Sequence, residues 1–173
     1  MWSFFETVRN RHSVRRYESE MLVEQEKLHA ILEAATAAPS AGDLQSYRIL
    51  VVTDLGQRQQ LVECAANNEF IAEAPVCMVF CTDPKRAVES FGEQSGQLFS
   101  IQDTTIVASY AQLAAVAAGL ASAWVGDFET AAVSKLLELP EDIVPMALIT
   151  IGYPAELPEL TPRLPLTDVV DFL

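Results

Sequence analysis

The stretch RHSVRRY, residues 11–17, gathers cations in a chain that is otherwise acidic. Arg9, Arg11, Arg15 and Arg16 are four of only 11 basic residues, set against 24 Asp and Glu. On an extended backbone, residues i, i+2 and i+4 point the same way. Arg11, Ser13 and Arg15 then face one site together. Two guanidinium forks and a hydroxyl suit a phosphate or a polyol, because arginine pairs bidentately with phosphate oxygens. The same residues equally suit a solvated patch paired with Glu18, Glu20 or Glu24.

Three other places carry polar groups that could serve a ligand. In APSAGDLQSYR, residues 38–48, a helix stops at Pro39 and small residues lead into a buried strand. Small residues let a flat ligand or another backbone come close, and Asp43, Gln45 and Ser46 add polar groups. Taken alone it also reads as a plain helix-to-strand connector. In GLASAWVGDFE, residues 119–129, Gly126 sits where a strand meets a turn and can present backbone N–H groups outward. Trp124 there reads as core. Arg163 lies alone in an acidic, proline-rich tail, where a lone arginine is by itself a surface residue.

The remaining signals exclude more than they propose. There is no G-x-S-x-G, no Walker A loop and no G-x-G-x-x-G between a strand and a helix. His12 and His29 have no Ser or Cys partner, and no metal-ligand spacing occurs. Cys77 and Cys81 share a strand face about 13 Å apart, too far for a disulfide, and read as small core residues. The net charge of −13 argues against nucleic-acid binding and against docking on anionic lipid. No apolar run is long enough to span a membrane, and the first residues lack a secretory pattern. A cytoplasmic location is expected.

The elements that must position these residues follow from pattern. Ser3 and Glu6 form a capping box for a helix over 3–10. Apolar residues at helical spacing predict helices over 22–38, 57–67 and 129–137, with a turn over 70–74. Strands are expected over 48–54, 76–82, 122–128 and 146–154. VCMVFCT has no polar alternation, so it should be buried on both faces. The longest helix, about 99–121, is apolar nearly all round and should be central. Residues 158–173 carry three prolines and read as an extended arm with an apolar end, which needs a surface to lie on. The whole, residues 1–173, reads as a single α+β domain with a central mixed or antiparallel sheet packed by helices.

Taken together, these segments resemble the FMN-dependent nitroreductase family. RHSVRRY looks like its N-terminal R-x-S-x-R signature. APSAGDLQSYRILVV is similar to its A-P-S-x-x-N-x-Q-x-W/Y-x-F-x-V-V segment. FIAEAPVCMVF, IQDTTIVASYAQLAAVAAGLASAWVGDF, LPEDIVPMALITIGYPAE and RLPLTDVV follow in the family's order and spacing. The length is most like that of the compact bacterial and archaeal subgroup.

The resemblance implies an intertwined homodimer with C-terminal arm exchange, FMN at the subunit interface, and NAD(P)H as co-substrate. It implies that Arg11, Ser13 and Arg163 hold the FMN phosphate and ribityl chain, with His12 contributing its backbone. Arg15 would face the pyrimidine edge of the flavin. Pro39, Ser40 and Ala41 would approach from the partner subunit, with Asp43 and Gln45 nearby. The backbone of Val125, Gly126 and Asp127 would reach the N5 and O4 edge. Arg9 and Arg16 are then left to pair with acids.

The implied reaction is a ping-pong hydride transfer through flavin N5 to a nitroaromatic, a quinone or a similar flat small-molecule acceptor. No side-chain catalyst is implied. Relatives of this kind also dehalogenate, dehydrogenate or remodel flavin, and a non-catalytic binder of FMN or a phosphorylated ligand is the reading from another class. The chain departs from the family at Asp43, where many members have Asn, and at Ala121, where a glycine is common. Asp43 faces either the cofactor or Arg48. No flavin contact is assigned around Asn67 and Asn68.

Overall fold

A computed structural model describes residues 3–157 and 161–173. Helix α1 (Phe4–Asn10) begins at the expected capping box: the Glu6 N–H donates to Ser3 Oγ at 3.3 Å, and the Ser3 N–H donates to Glu6 Oε2 at 2.7 Å. Next come α2 (Gln25–Thr36), β1 (Tyr47–Val52), α3 (Leu55–Cys64), α4 (Phe70–Glu73) and β2 (Val76–Thr82). They are followed by α5 (Lys85–Phe91), α6 (Glu93–Ala117), β3 (Ala121–Val125), α7 (Thr130–Leu136) and β4 (Val144–Gly152).

The four strands form one sheet in the order β1-β2-β4-β3. Every pairing is antiparallel, so the mixed alternative falls away. Strand β2 is central and buried at all of its positions. Its side chains alternate between two cores, as a period of two requires. Cys77, Val79 and Cys81 join Leu61, Ile71, Val133 and Leu148 under α3, α4 and α7. Met78 and Phe80 join Ile31, Val107, Ala111 and Ile149 under α2 and α6. The fold is α+β, with helices on both faces of an antiparallel sheet.

Helix α6 differs most from expectation. It starts six residues earlier than its apolar run and ends four residues earlier. Its first turns are polar and exposed, so no apolar stripe announces them. They are held by α5, which crosses very close. A Cβ at Gly96 would lie 2.4 Å from the Val88 nitrogen and 2.7 Å from the Ala87 carbonyl carbon. Only glycine admits that approach.

All three cysteines are free. Burial pushes the Cys77 and Cys81 thiols up to about 12. The C-terminal arm is described from residue 161, and residues 158–160 of the expected arm lie outside the described residues. It carries one 3-10 turn, Leu166–Asp168, and is exposed throughout, including Leu164, Leu166, Val169 and Phe172. Among the described residues, no helix is long and apolar enough to cross a membrane.

Candidate functional site

The arginine segment is fixed by contacts distant in sequence. Ser13 bridges Ser122 of β3 in parallel, and the Val14 N–H donates to the Ser122 carbonyl at 3.1 Å. Tyr17 bridges Pro154 beyond the end of β4. The Tyr17 hydroxyl is buried, donates to the Val14 carbonyl at 2.8 Å and meets Thr150 Oγ1 at 2.7 Å. Burial raises its pKa, so it remains a neutral hydroxyl. With Val14 and Tyr17 turned inward, Arg11, His12 and Ser13 are left half-buried and Arg15 exposed. The Arg15 N–H donates to Glu156 Oε1 at 2.7 Å, which ties the segment to the chain after β4.

Arg11 is the electrostatic focus. Its pKa is lowered by burial and by the charge of Arg163. Burial is the larger cause, and Arg163, from the arm, adds the lesser one. Among the described residues neither arginine forms an ion pair; those present are Lys27–Glu24, His29–Glu33 and Arg48–Asp83. Two like charges, one of them half-buried, without a carboxylate between them fit an anion. A phosphate would relieve both their repulsion and their lost hydration. The FMN phosphate suits this donor set. A cavity of about 390 Å³ opens beside the segment, lined by His12, Val14, Leu120, Pro154, Glu156 and Leu157 among others.

Several expectations for the other charges change. Arg9 and Arg16 pair with no described acid, nor do Arg11 and Arg15 pair with Glu18, Glu20 or Glu24. Arg48 pairs with Asp83 at 3.4 Å, so it is not the partner of Asp43. Asp43 is exposed and has a positive φ of 56°.

The loop between α2 and β1 is built with care. Gly42, Asp43 and Gln45 all hold positive φ, at 59°, 56° and 50°. Side chains resist this region, so the loop must be held. The Gln45 amide donates to the Thr36 carbonyl at 2.9 Å, and the Gln45 N–H donates to Ser40 Oγ at 3.0 Å. Arg86 from α5 donates to the Gln45 carbonyl at 2.6 Å. The deepest anchor is Asp103 of α6, whose two carboxylate oxygens accept the Ala41 N–H at 2.9 Å and the Ser46 N–H at 3.3 Å. Pro39 stays exposed, while Ser40 and Ala41 are half-buried.

Asp103 was missed in the sequence, although a signal existed. It is the only charged residue between Ser100 and Val125, in an apolar stretch. A lone acid there is either a defect or an anchor.

The third part of the expected site is the end of β3. Val125 is buried, whereas Gly126 and Asp127 are exposed. Among the described residues their N–H groups are not spent on another backbone carbonyl. The structure thus brings Arg11, His12, Ser13 and Arg15 together beside β3. It does not bring the 39–45 loop to them. That loop enters β1, at the other edge of the sheet from β3. Three strand spacings separate those edges, about 14 Å.

The comparisons with known proteins agree with this architecture. The profile described as the Nitroreductase family matches residues 8–153. An oxygen-insensitive NADPH nitroreductase of Salmonella typhimurium is 30% identical over 165 residues, covering 91% of this chain and 68% of that protein. A protein of Thermus thermophilus named NADH dehydrogenase is 32% identical over 187 residues, covering 92% of this chain and 91% of its own. Among solved structures, the NADPH:FMN oxidoreductase of Vibrio harveyi complexed with NAD+ superposes with a TM-score of 0.89 at 30% identity, covering 98% of this chain and 76% of that one.

Proposed function

The chain belongs to the nitroreductase family, and on that footing we propose that it is an NAD(P)H-dependent flavin oxidoreductase that reduces a nitroaromatic, a quinone or a similar flat acceptor. The observation that carries the reading is the arginine segment fixed against β3 by the Ser13–Ser122 bridge, with Arg11 half-buried and without a described carboxylate partner. The Vibrio harveyi protein, named for NADPH and FMN, shares the fold.

Bound FMN would supply the redox chemistry, taking hydride from NAD(P)H and passing it on to the acceptor. The chain's own residues have simpler tasks. Arg11 and Arg163 hold the phosphate, and Ser13, fixed by its bridge to Ser122, adds a hydroxyl beside them. Arg15 sets a positive charge where electron density gathers, an electrostatic role. Its position is held through its own N–H by Glu156. The exposed N–H groups of Gly126 and Asp127 stand ready to donate to a flat heterocycle. No side-chain acid or base is required of this site.

The site is proposed to be shared between two chains. In a single chain, the 39–45 loop and the arginine segment occupy opposite sheet edges. In a symmetric dimer, the partner's loop would come to the arginine segment. Two further features support this. The arm leaves Leu164, Leu166 and Phe172 exposed. An apolar groove of about 460 Å³ runs past Phe4, Ala34, Tyr110, Leu113 and Ala114. We read residues 1–173 as one domain, because both cores share one sheet. Three free cysteines fit a reducing, cytoplasmic compartment.

The test is optical. The purified protein should be yellow, and anaerobic NADPH or NADH should bleach it, with the colour returning on addition of menadione or nitrofurazone. A colourless protein that neither binds added FMN nor gains thermal stability from it would refute the flavin reading. A yellow protein that no nicotinamide bleaches would instead be a binding protein.

A further inference from the structure

We infer that Asp103 is a positioning residue for the flavin site, holding the 40–46 loop in the shape that meets the cofactor; this rests on the flavin reading above. Among the described residues Asp103 is the only carboxylate this deeply buried, at 2% exposed. A buried charge must be matched by donors. Asp103 has the Ala41 and Ser46 N–H groups, one from each end of the loop, and no basic partner within ion-pair distance. Clamping both ends fixes the chord of the loop. Between those ends lie the three residues with positive φ, so a relaxed chord would let them return to ordinary backbone conformations.

The surrounding contacts separate this role from plain packing. One residue on, Thr104 is equally buried, but its hydroxyl donates to the Ser100 carbonyl at 2.7 Å, with the Cys81 carbonyl at 3.3 Å, and forms no hydrogen bond to the loop. Ser100 Oγ donates to the Ser46 carbonyl at 2.5 Å and accepts the Asp83 N–H at 3.1 Å, which secures the base of the loop. Asp103 alone reaches Ala41. Ala41 is one of the residues expected at the cofactor, so the carboxylate acts on the site through the backbone and without touching the flavin.

The experiment compares Asp103→Asn, Asp103→Glu and Thr104→Val as full-length holoproteins. FMN release is followed at 10 °C by recovery of flavin fluorescence on dilution, beside the melting temperature and the absorbance band shape of the bound flavin. All three substitutions should lower the melting temperature. Only the two Asp103 variants should release FMN at least tenfold faster and alter the band shape. Asn retains one acceptor oxygen and turns an amide donor toward an N–H; Glu keeps the charge with a displaced carboxylate, so a folded variant is available even where Asn is not tolerated. Release within twofold of wild type in a folded Asp103 variant would overturn the inference. So would equally fast release from Thr104→Val, since that would mean general loosening. A wild-type chain that holds no FMN would remove the flavin reading itself, a separate failure.

Discussion

Replacing Arg11 with Met should separate binding from stability in opposite directions. Methionine keeps much of the apolar stem and removes the guanidinium. In the ligand-free protein Arg11 is half-buried, is depressed in pKa by burial and by Arg163, and has no described carboxylate partner. Its removal relieves a repulsion and a desolvation cost. For partly exposed charges such effects stay below about 1 kcal/mol, which is a rise of up to roughly 2–4 °C in a domain of this size. With FMN the sign reverses. A hydrogen bond to a charged group contributes about 1.5–3 kcal/mol, so losing it weakens binding by roughly tenfold to a hundredfold. The assays are thermal melting of the flavin-free protein and titration of FMN by fluorescence quenching. Raising salt should weaken wild-type binding more than variant binding, because an ionic contact is screened. If the flavin-free variant melts well below wild type while its FMN affinity is unchanged, Arg11 is a structural residue and the phosphate grip is misplaced.

Three further outcomes are expected. Gly96→Ala forces α5 and α6 apart, because the added carbon would meet backbone at 2.4 Å; it should cost about 1–3 kcal/mol, read as a lower denaturant midpoint, and an unchanged midpoint would contradict the packing described. Alkaline stability should depend on Cys77, whose thiol is raised from 9.0 to about 12. Above the unfolded pKa the unfolded state sheds a proton that the folded state keeps, so stability falls with rising pH by about 1.4 kcal/mol per unit for each such thiol. Urea unfolding between pH 9 and 10.5 should therefore be less steep in pH for Cys77→Ala than for wild type, and equal slopes would count against the burial argument. Truncation after Leu160 removes the exposed apolar arm and Arg163; sedimentation should show a loss of dimer and FMN titration a loss of affinity, whereas a truncated dimer of full stability would contradict the arm's role.

What the sequence made legible was whatever depends on neighbours along the chain. The Ser3–Glu6 box and the double-sided burial of β2 are local rules, and they reappear in the structure. The start of α6 was legible only as a polar segment, helical in places, because Gly96 and its polar neighbours carry no apolar stripe and take their place from α5 packed on them. Arg48 found Asp83 across a distance no spacing rule reports. Asp103 was invisible as a function because its meaning lies in two N–H groups some 60 residues earlier in the chain. The same holds for the arginine segment, whose position is set by Ser122 and Pro154.

The proposed sharing of each site between two chains, with the loop and the arginine segment at opposite edges of the sheet, has a genetic consequence. In a twofold dimer each cofactor site would draw its arginines from one chain and its loop from the other. A chain damaged at Arg11 and a chain damaged at Asp103 would each assemble into dimers with two broken sites. Mixed together, they form hybrids in which both lesions fall on one site and the other site is whole. Random pairing makes half of the dimers hybrid, so about a quarter of all sites would be restored. Two inactive alleles expressed in one cell would then complement each other, and two alleles damaged in the same half would not.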